Sequence, residues 1–303
     1  MKIGLHSAIL SDYDFEKSIQ TASKYGYQSL EVACWPSSED KRRYAGVSHI
    51  NPDKLDEKEI QKIHKICDEN KVDIAVLGYY PNALDPIKEN ADIYIEHIKK
   101  LIVAAQKLDV NKLSTFIGKD KNKTVEENLI LFENIWTPII EFAKEHKVWV
   151  GIENCPMYFS YDEWPGGLNL ASAPYIWDKM FEIIDSDYFG LSYDPSHLYF
   201  QGMDYIRPIY QYAHKIKHIH IKDAIVYKEK LDEYGIFAPP LSYMSPKIPG
   251  HGGIDWGRFI SALNDIRYKG HACIEIEDRA FEDSEDDILN SIRISKKYID
   301  QFI

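Results

Sequence analysis

The feature that most constrains this chain is an alternation of short apolar runs with longer amphipathic ones. Eight Val/Ile-rich runs, at 2–9, 29–35, 73–80, 112–118, 148–155, 189–194, 216–222 and 271–277, read as strands. Each precedes a stretch of helical spacing, at 15–25, 56–70, 92–108, 124–146, 173–184, 205–213, 256–266 and 283–302. In the first of these Phe15, Ile19 and Ala22 share a face; in the second Ile60, Ile63 and Cys67 do. Short, continuously apolar strands imply a sheet covered on both faces, and the intervening helices are long enough for parallel crossovers. Eight such units without a glycine-rich dinucleotide fingerprint predict an α/β fold of the (β/α)8 (TIM) barrel type rather than a doubly wound sheet. A barrel of this kind takes ~250 residues, so residues 1–303 are expected to form a single domain. Pro138, inside 124–146, predicts a kink.

Three segments after strands are longer than a plain connection: 36–53, 156–172 and 224–255. All three fall on the C-terminal mouth, where barrels of this class place their chemistry. Hydrophobic residues at 45% and charged residues at 28% supply a large core. Thirty-six Lys and Arg against 48 Asp and Glu leave a net charge of −12, which disfavours nucleic acid or an anionic membrane as the main partner. Cys34, Cys67, Cys155 and Cys273 form no CxxC pair and are expected to be reduced, mostly buried thiols. The opening MKIGLHSAIL lacks the longer apolar stretch of a signal peptide, and no run approaches the ~18 apolar residues of a membrane span. A soluble, cytoplasmic protein is expected.

The last four strands carry acids and imidazoles at their C-terminal ends. They read Glu153-Asn154-Cys155-Pro156, Asp194-Pro195-Ser196-His197, His218-Ile-His220-Ile-Lys222-Asp223 and Cys273-Ile-Glu275-Ile-Glu277-Asp278. Acids in apolar strands are expensive to bury unpaired. Convergence of the four ends on one cation satisfies them together. Three oxygens and one nitrogen suit Mn²⁺ first, with Mg²⁺, Co²⁺ or Zn²⁺ as alternatives. Alternation puts His218, His220 and Lys222 on one strand face, so the residues alone leave His218 and His220 both open as ligand.

Together the segments GIENCPMYFSYDEWPGGLNL, LSYDPSHL, HIHIKD, PGHGGIDW and CIEIED resemble the xylose-isomerase-like (β/α)8 barrel superfamily, and most closely its sugar phosphate isomerase/epimerase members. The resemblance runs from GLHS in the first strand to the last helix. It implies one divalent metal ion held by Glu153, Asp194, His220 and Glu275. It also implies an isomerase or epimerase of a sugar or sugar phosphate, with proton transfer next to a carbonyl through an enediolate that the metal stabilises. Glu153 and Glu275 would be the catalytic acid/base pair, and His197 would bind a substrate oxygen. His6, Trp35, Lys222 and His251 are further substrate-binding candidates. For each the plain alternative is structural: packing for His6 and Trp35, pairing with Glu277 or Asp223 for Lys222, and an ordinary loop role for His251. Tyr79, Tyr80 and Trp164 would extend the aromatic wall that Trp35 begins.

The chain departs from the resemblance in its loops. No acid matches the second substrate-binding acid that some epimerases carry after the fifth strand. Glu163 is the nearest candidate. No Arg follows His220 where some epimerases place one, and no phosphate cradle is evident. The same site also suits a lyase, either an inosose-type dehydratase or the catalytic subunit of a 3-oxo C-glycoside deglycosidase, the latter with a small partner subunit. An abasic-site endonuclease would need a three-metal cluster and a basic face, which the net charge opposes. A non-enzymatic sugar-binding subunit would not need the acid pair. The resemblance further implies a homo-oligomer.

Overall fold

The computed structural model describes residues 1–36, 44–164 and 166–303; part of the 36–53 segment therefore lies outside the described residues. Among the described residues ten strands form, in chain order: β1 (Lys2–His6), β2 (Ser29–Ala33), β3 (Asp73–Gly78), β4 (Lys112–Thr115), β5 (Trp149–Glu153), β6 (Phe189–Tyr193), β7 (Ile216–Ile221), β8 (Asp223–Val226), β9 (Met244–Lys247) and β10 (His271–Ile274). Eight of them close a parallel barrel in the order β1-β10-β7-β6-β5-β4-β3-β2. The chain thus forms the expected TIM barrel, from its first strand to its last helix. Leu30, Val32, Leu113, Val150, Ile152, Leu191, Ile219, Ile221 and Ile274 are all buried in it.

Helix starts follow local chemistry. Asp14 accepts from Lys17 N (2.8 Å) ahead of Phe15–Lys24, and Asp56 accepts from Glu59 N (2.8 Å) ahead of Glu57–Asn70. Thr124 and Glu127 form a reciprocal capping box for Val125–Glu145, and that helix continues past Pro138. Ser284 caps Glu285–Ile299 with three acids in its first turn, where the helix dipole favours them.

The structure corrects the sequence reading in four places. The first strand ends at His6, not residue 9, because the His6 ring accepts from Ala8 N (3.2 Å) and turns Ser7–Leu10 into a 3₁₀ helix. The third helix starts at Lys88 rather than 92. After β6 the chain forms two short helices, Ser196–Tyr199 and Arg207–Gln211, in place of one helix over 205–213. The segment 224–255 is no plain loop: β8 and β9 pair antiparallel, with the helix Lys228–Tyr234 between them. Asp223, the first residue of β8, ties this insertion down by accepting from Gly250 N (3.0 Å), Ile254 N (3.1 Å) and Trp256 Nε1 (2.9 Å).

Candidate metal centre

Glu153 closes β5, Asp194 follows β6, His220 lies in β7 and Glu275 follows β10. The parallel register brings these ends to one level: Glu153 pairs with Ser192, and Cys273 with His220. One ligand atom from each of the four side chains lies within 4.8 Å of the other three, and all four residues are buried. Two asparagine side chains hold the backbone frame. Asn154 donates to Asp194 O and accepts from Asp194 N, both at 2.8 Å. Asn169 donates to Glu153 O (3.0 Å) and Cys155 O (2.7 Å), and so pins the turn after β5.

Lys222 enters the same cluster. Its Nζ lies 3.0 Å from Glu275 Oε2, 3.2 Å from Asp194 Oδ2, 3.4 Å from Glu277 Oε2 and 3.8 Å from Glu153 Oε1. His197 Nε2 lies 3.0 Å from Glu153 Oε1 and 3.3 Å from Asp194 Oδ2. These contacts set the charge states. Burial alone would raise the Glu153 carboxyl, but Lys222 and His220 outweigh it and hold the group well below the usual carboxylate range. Burial wins at Glu275, where neighbouring Glu277 and Glu153 add to it against Lys222, and its pKa is raised. Burial opposes charge on His220, yet Glu31 and Glu153 lift its pKa well above the ordinary value. Burial likewise opposes charge on Lys222, and the carboxylates around it reverse that effect.

The donor set fits a divalent ion. Asp194 Oδ2, Glu275 Oε2 and His220 Nδ1 are buried and make no hydrogen bond. His220 Nδ1 is 3.6 Å from Glu153 Oε1 and 3.5 Å from Glu275 Oε2, too long for hydrogen bonds. Lys222 Nζ compensates the charge of the two carboxylate oxygens without completing a hydrogen bond to either, and one ion bound by all four groups would satisfy the three atoms together. Three carboxylates and one imidazole are ligands for borderline and hard divalent metals.

The structure does not bring every sequence candidate here. His6 is buried beside the site, with Nε2 3.3 Å from Glu31 Oε1 and its ring centroid 5.9 Å from that of His220. Trp35 packs edge-on against Tyr79, with centroids 5.0 Å apart. It lines a cavity of about 530 Å³ that holds none of the four clustered residues. His251 is exposed, 5.8 Å from the Phe281 ring, and lines a groove with Pro249 and Tyr298 on the last helix. Tyr80 reaches the site, with its hydroxyl 3.4 Å from His220 Nε2. Trp164 is 46% exposed, with its ring tilted against that of Tyr158, centroids 5.9 Å apart. Glu163 is occupied locally: its Oε2 accepts from both the backbone N and the hydroxyl of Ser160, each at 2.6 Å.

Sequence reading missed Glu31. It is fully buried in β2, and its carboxylate touches His6, Tyr80, His218 and His220. The signal was present, since Glu31 interrupts the apolar run SLEVACW as Glu153 interrupts its own. Among the described residues Cys34, Cys67, Cys155 and Cys273 are free, and all but Cys67 are buried. No described helix is long and apolar enough to cross a membrane.

A closed (β/α)8 barrel with an acid–imidazole cluster at its C-terminal mouth is the class that fold and site define. A family model described as xylose isomerase-like TIM barrel matches residues 19–298, and the chain belongs to that family. It is similar to an inosose dehydratase of Clostridium perfringens, 30% identical over 106 residues, a stretch covering 33% of this chain and 34% of that protein. The match therefore spans about a third of that relative's length. Two solved structures share the fold over 100% of this chain and 99% of theirs, each at 15% identity. One is D-psicose 3-epimerase from Clostridium cellulolyticum H10 with D-tagatose, at a TM-score of 0.71. The other is the IOLI protein with a binding zinc atom, at 0.73.

Proposed function

We propose that this chain is a divalent-metal-dependent isomerase or epimerase of a sugar or polyol derivative. Glu153, Asp194, His220 and Glu275 hold one ion, with Mn²⁺ the first choice. The observation that carries this reading is the set of three buried, hydrogen-bond-free ligand atoms, on Asp194, His220 and Glu275, gathered with Glu153 within 4.8 Å. A divalent ion bound there supplies Lewis acidity toward a carbonyl and its neighbouring hydroxyl, which acidifies the adjacent C–H. The remaining work falls to side chains of this chain. Glu153 and Glu275 carry the proton, one removing it from carbon and the other returning it. His197, 3.0 Å from Glu153, donates to a substrate oxygen. Lys222 keeps the acids charge-compensated while they share the pocket.

A second reading, a dehydratase on the same site, draws support from the sequence match to an inosose dehydratase. It begins with the same proton abstraction and ends with loss of a β-hydroxyl as water. Incubating the Mn²⁺-supplemented protein with ketoses and with inososes, and weighing the products, separates the two. Mass-neutral conversion supports the isomerase reading, and loss of water supports the dehydratase. Metal analysis of protein purified without chelator is expected to give one divalent ion per chain. No ion, even after Mn²⁺ is added, defeats both readings.

A further inference from the structure

Glu31 lies on the wall opposite the ligand cluster. Its Oε2 accepts from His218 Nε2 at 2.7 Å and from His220 Nε2 at 2.9 Å. Its Oε1 accepts from the Tyr80 hydroxyl and lies 3.3 Å from His6 Nε2. The brace continues across the barrel: the Tyr80 hydroxyl is 3.0 Å from Ser114 Oγ, which donates to Ser192 Oγ at 2.8 Å. Gly78 leaves room for it, since a Cβ there would stand 2.9 Å from Glu31 Oε1. An imidazole that gives its Nε2–H to a fixed carboxylate presents Nδ1 on the other side. In His220 that Nδ1 is the atom facing Glu153 and Glu275.

We infer that Glu31 is the positioning residue of this centre. It selects Nδ1 of His220 as the ligating nitrogen and fixes the plane of the ring, a role that rests on the metal-site reading above. The same geometry gives the two histidines of HIHIKD separate work. His220 faces the cation, and His218 holds Glu31 in place from the far side.

The test titrates Mn²⁺ into metal-stripped wild-type, Glu31→Gln and Glu31→Asp proteins, with free Mn²⁺ followed by electron paramagnetic resonance. Long-range ¹H–¹⁵N spectra of the Zn²⁺-loaded wild type assign the ligating nitrogen of His220. Glu31→Gln is expected to weaken Mn²⁺ binding about 10–100-fold. Glu31→Asp, which keeps the charge but is too short to hold both imidazoles, should fall between. The spectra should show Nε2 protonated and Nδ1 bound to Zn²⁺. A folded Glu31→Gln protein with wild-type affinity, or His220 bound through Nε2, overturns the inference and leaves the metal site standing. The wild-type spectra decide the point if Glu31→Gln does not fold. A wild-type protein that takes up no Mn²⁺ overturns the inference and the proposed function together.

Discussion

Two buried clusters in this barrel look alike as lists of residues and differ in physics. Glu31, His218 and Cys273 come within ligand distance of one another, as do Glu153, Asp194, His220 and Glu275. In the first, the carboxylate is satisfied from within: both its oxygens accept hydrogen bonds from protein groups. In the second, an oxygen each of Asp194 and Glu275, and Nδ1 of His220, accept and donate none. Burial pushes the Cys273 thiol well above its usual range, which opposes the thiolate a metal would need. His218 and His220 share Glu31, yet burial takes His218 down to about 4, while Glu31 and Glu153 lift His220. Proximity of ligand types therefore does not make a site. What separates the two clusters is the state of the carboxylates: Asp194 and Glu275 each keep an oxygen without a hydrogen bond, whereas both oxygens of Glu31 accept one, and the imidazoles do not differ, since His218 Nδ1 is as unbonded as His220 Nδ1.

The largest test of that contrast is removal of a member of the open cluster. Glu153→Gln, nearly equal in volume, should lower turnover by about 10³-fold, equivalent to ~4 kcal/mol of barrier, with the fold retained. Steady-state rates and circular dichroism on one preparation check this. Asp194→Ala should lose bound metal, read by mass spectrometry of the purified protein. Retained metal would reassign the ligands. Next in size is chelation of the wild type. An ion present at a hundred times its Kd stabilises the fold by about 2.7 kcal/mol, so EDTA should lower the melting temperature by several degrees and Mn²⁺ should restore it. Cys273→Ala addresses the closed cluster. It should leave the stoichiometry at one ion per chain and cost about 1–2 kcal/mol, as for loss of a small buried group. A drop from two ions to one would erase the contrast.

The smallest effect is in pH. His271 neighbours His218 across the β10–β7 register, and burial together with nearby Lys112 lowers it from 6.5 to about 4. Above pH 6.5 the folded and unfolded forms are both neutral at this residue, and its contribution to stability is complete. As pH falls from 6.5 toward 4, the unfolded chain binds a proton that the folded one refuses, and stability is lost. His271→Leu should flatten that decline by about 1–2 kcal/mol, as measured by urea unfolding at pH 7 and pH 4.5. His218 titrates over the same window, so part of the slope should persist.

Much of the site was legible because charge is costly inside an apolar strand. Glu153, Asp194, His220, Lys222 and Glu275 each stand at or near the C-terminal end of an apolar run, and all five converge. Glu31 obeys the same rule in SLEVACW but stands apart in sequence from the last four strands, so nothing local joins it to them. Trp35 and His251 lie away from the cluster. Both sit in segments that leave the mouth, yet the chain carries Trp35 to Tyr79 and His251 to the last helix. Glu163 carried its own warning: Ser160 three residues earlier is the pattern of a capping box, and the structure uses it so. The β8–β9 ribbon escaped notice because its strands are four residues each and one contains Pro246.

The amino-acid order by itself determined that eight apolar strands alternate with amphipathic helices, and that acids and imidazoles end the last four strands. These are periodicities and local desolvation costs, and they are written along the chain. Only the closed barrel decided which of those groups meet, because strand register, and not spacing in sequence, sets the distance from Glu31 to His220. It also decided which nitrogen of His220 faces the acids, since a ring nitrogen is oriented by what its other side must bond.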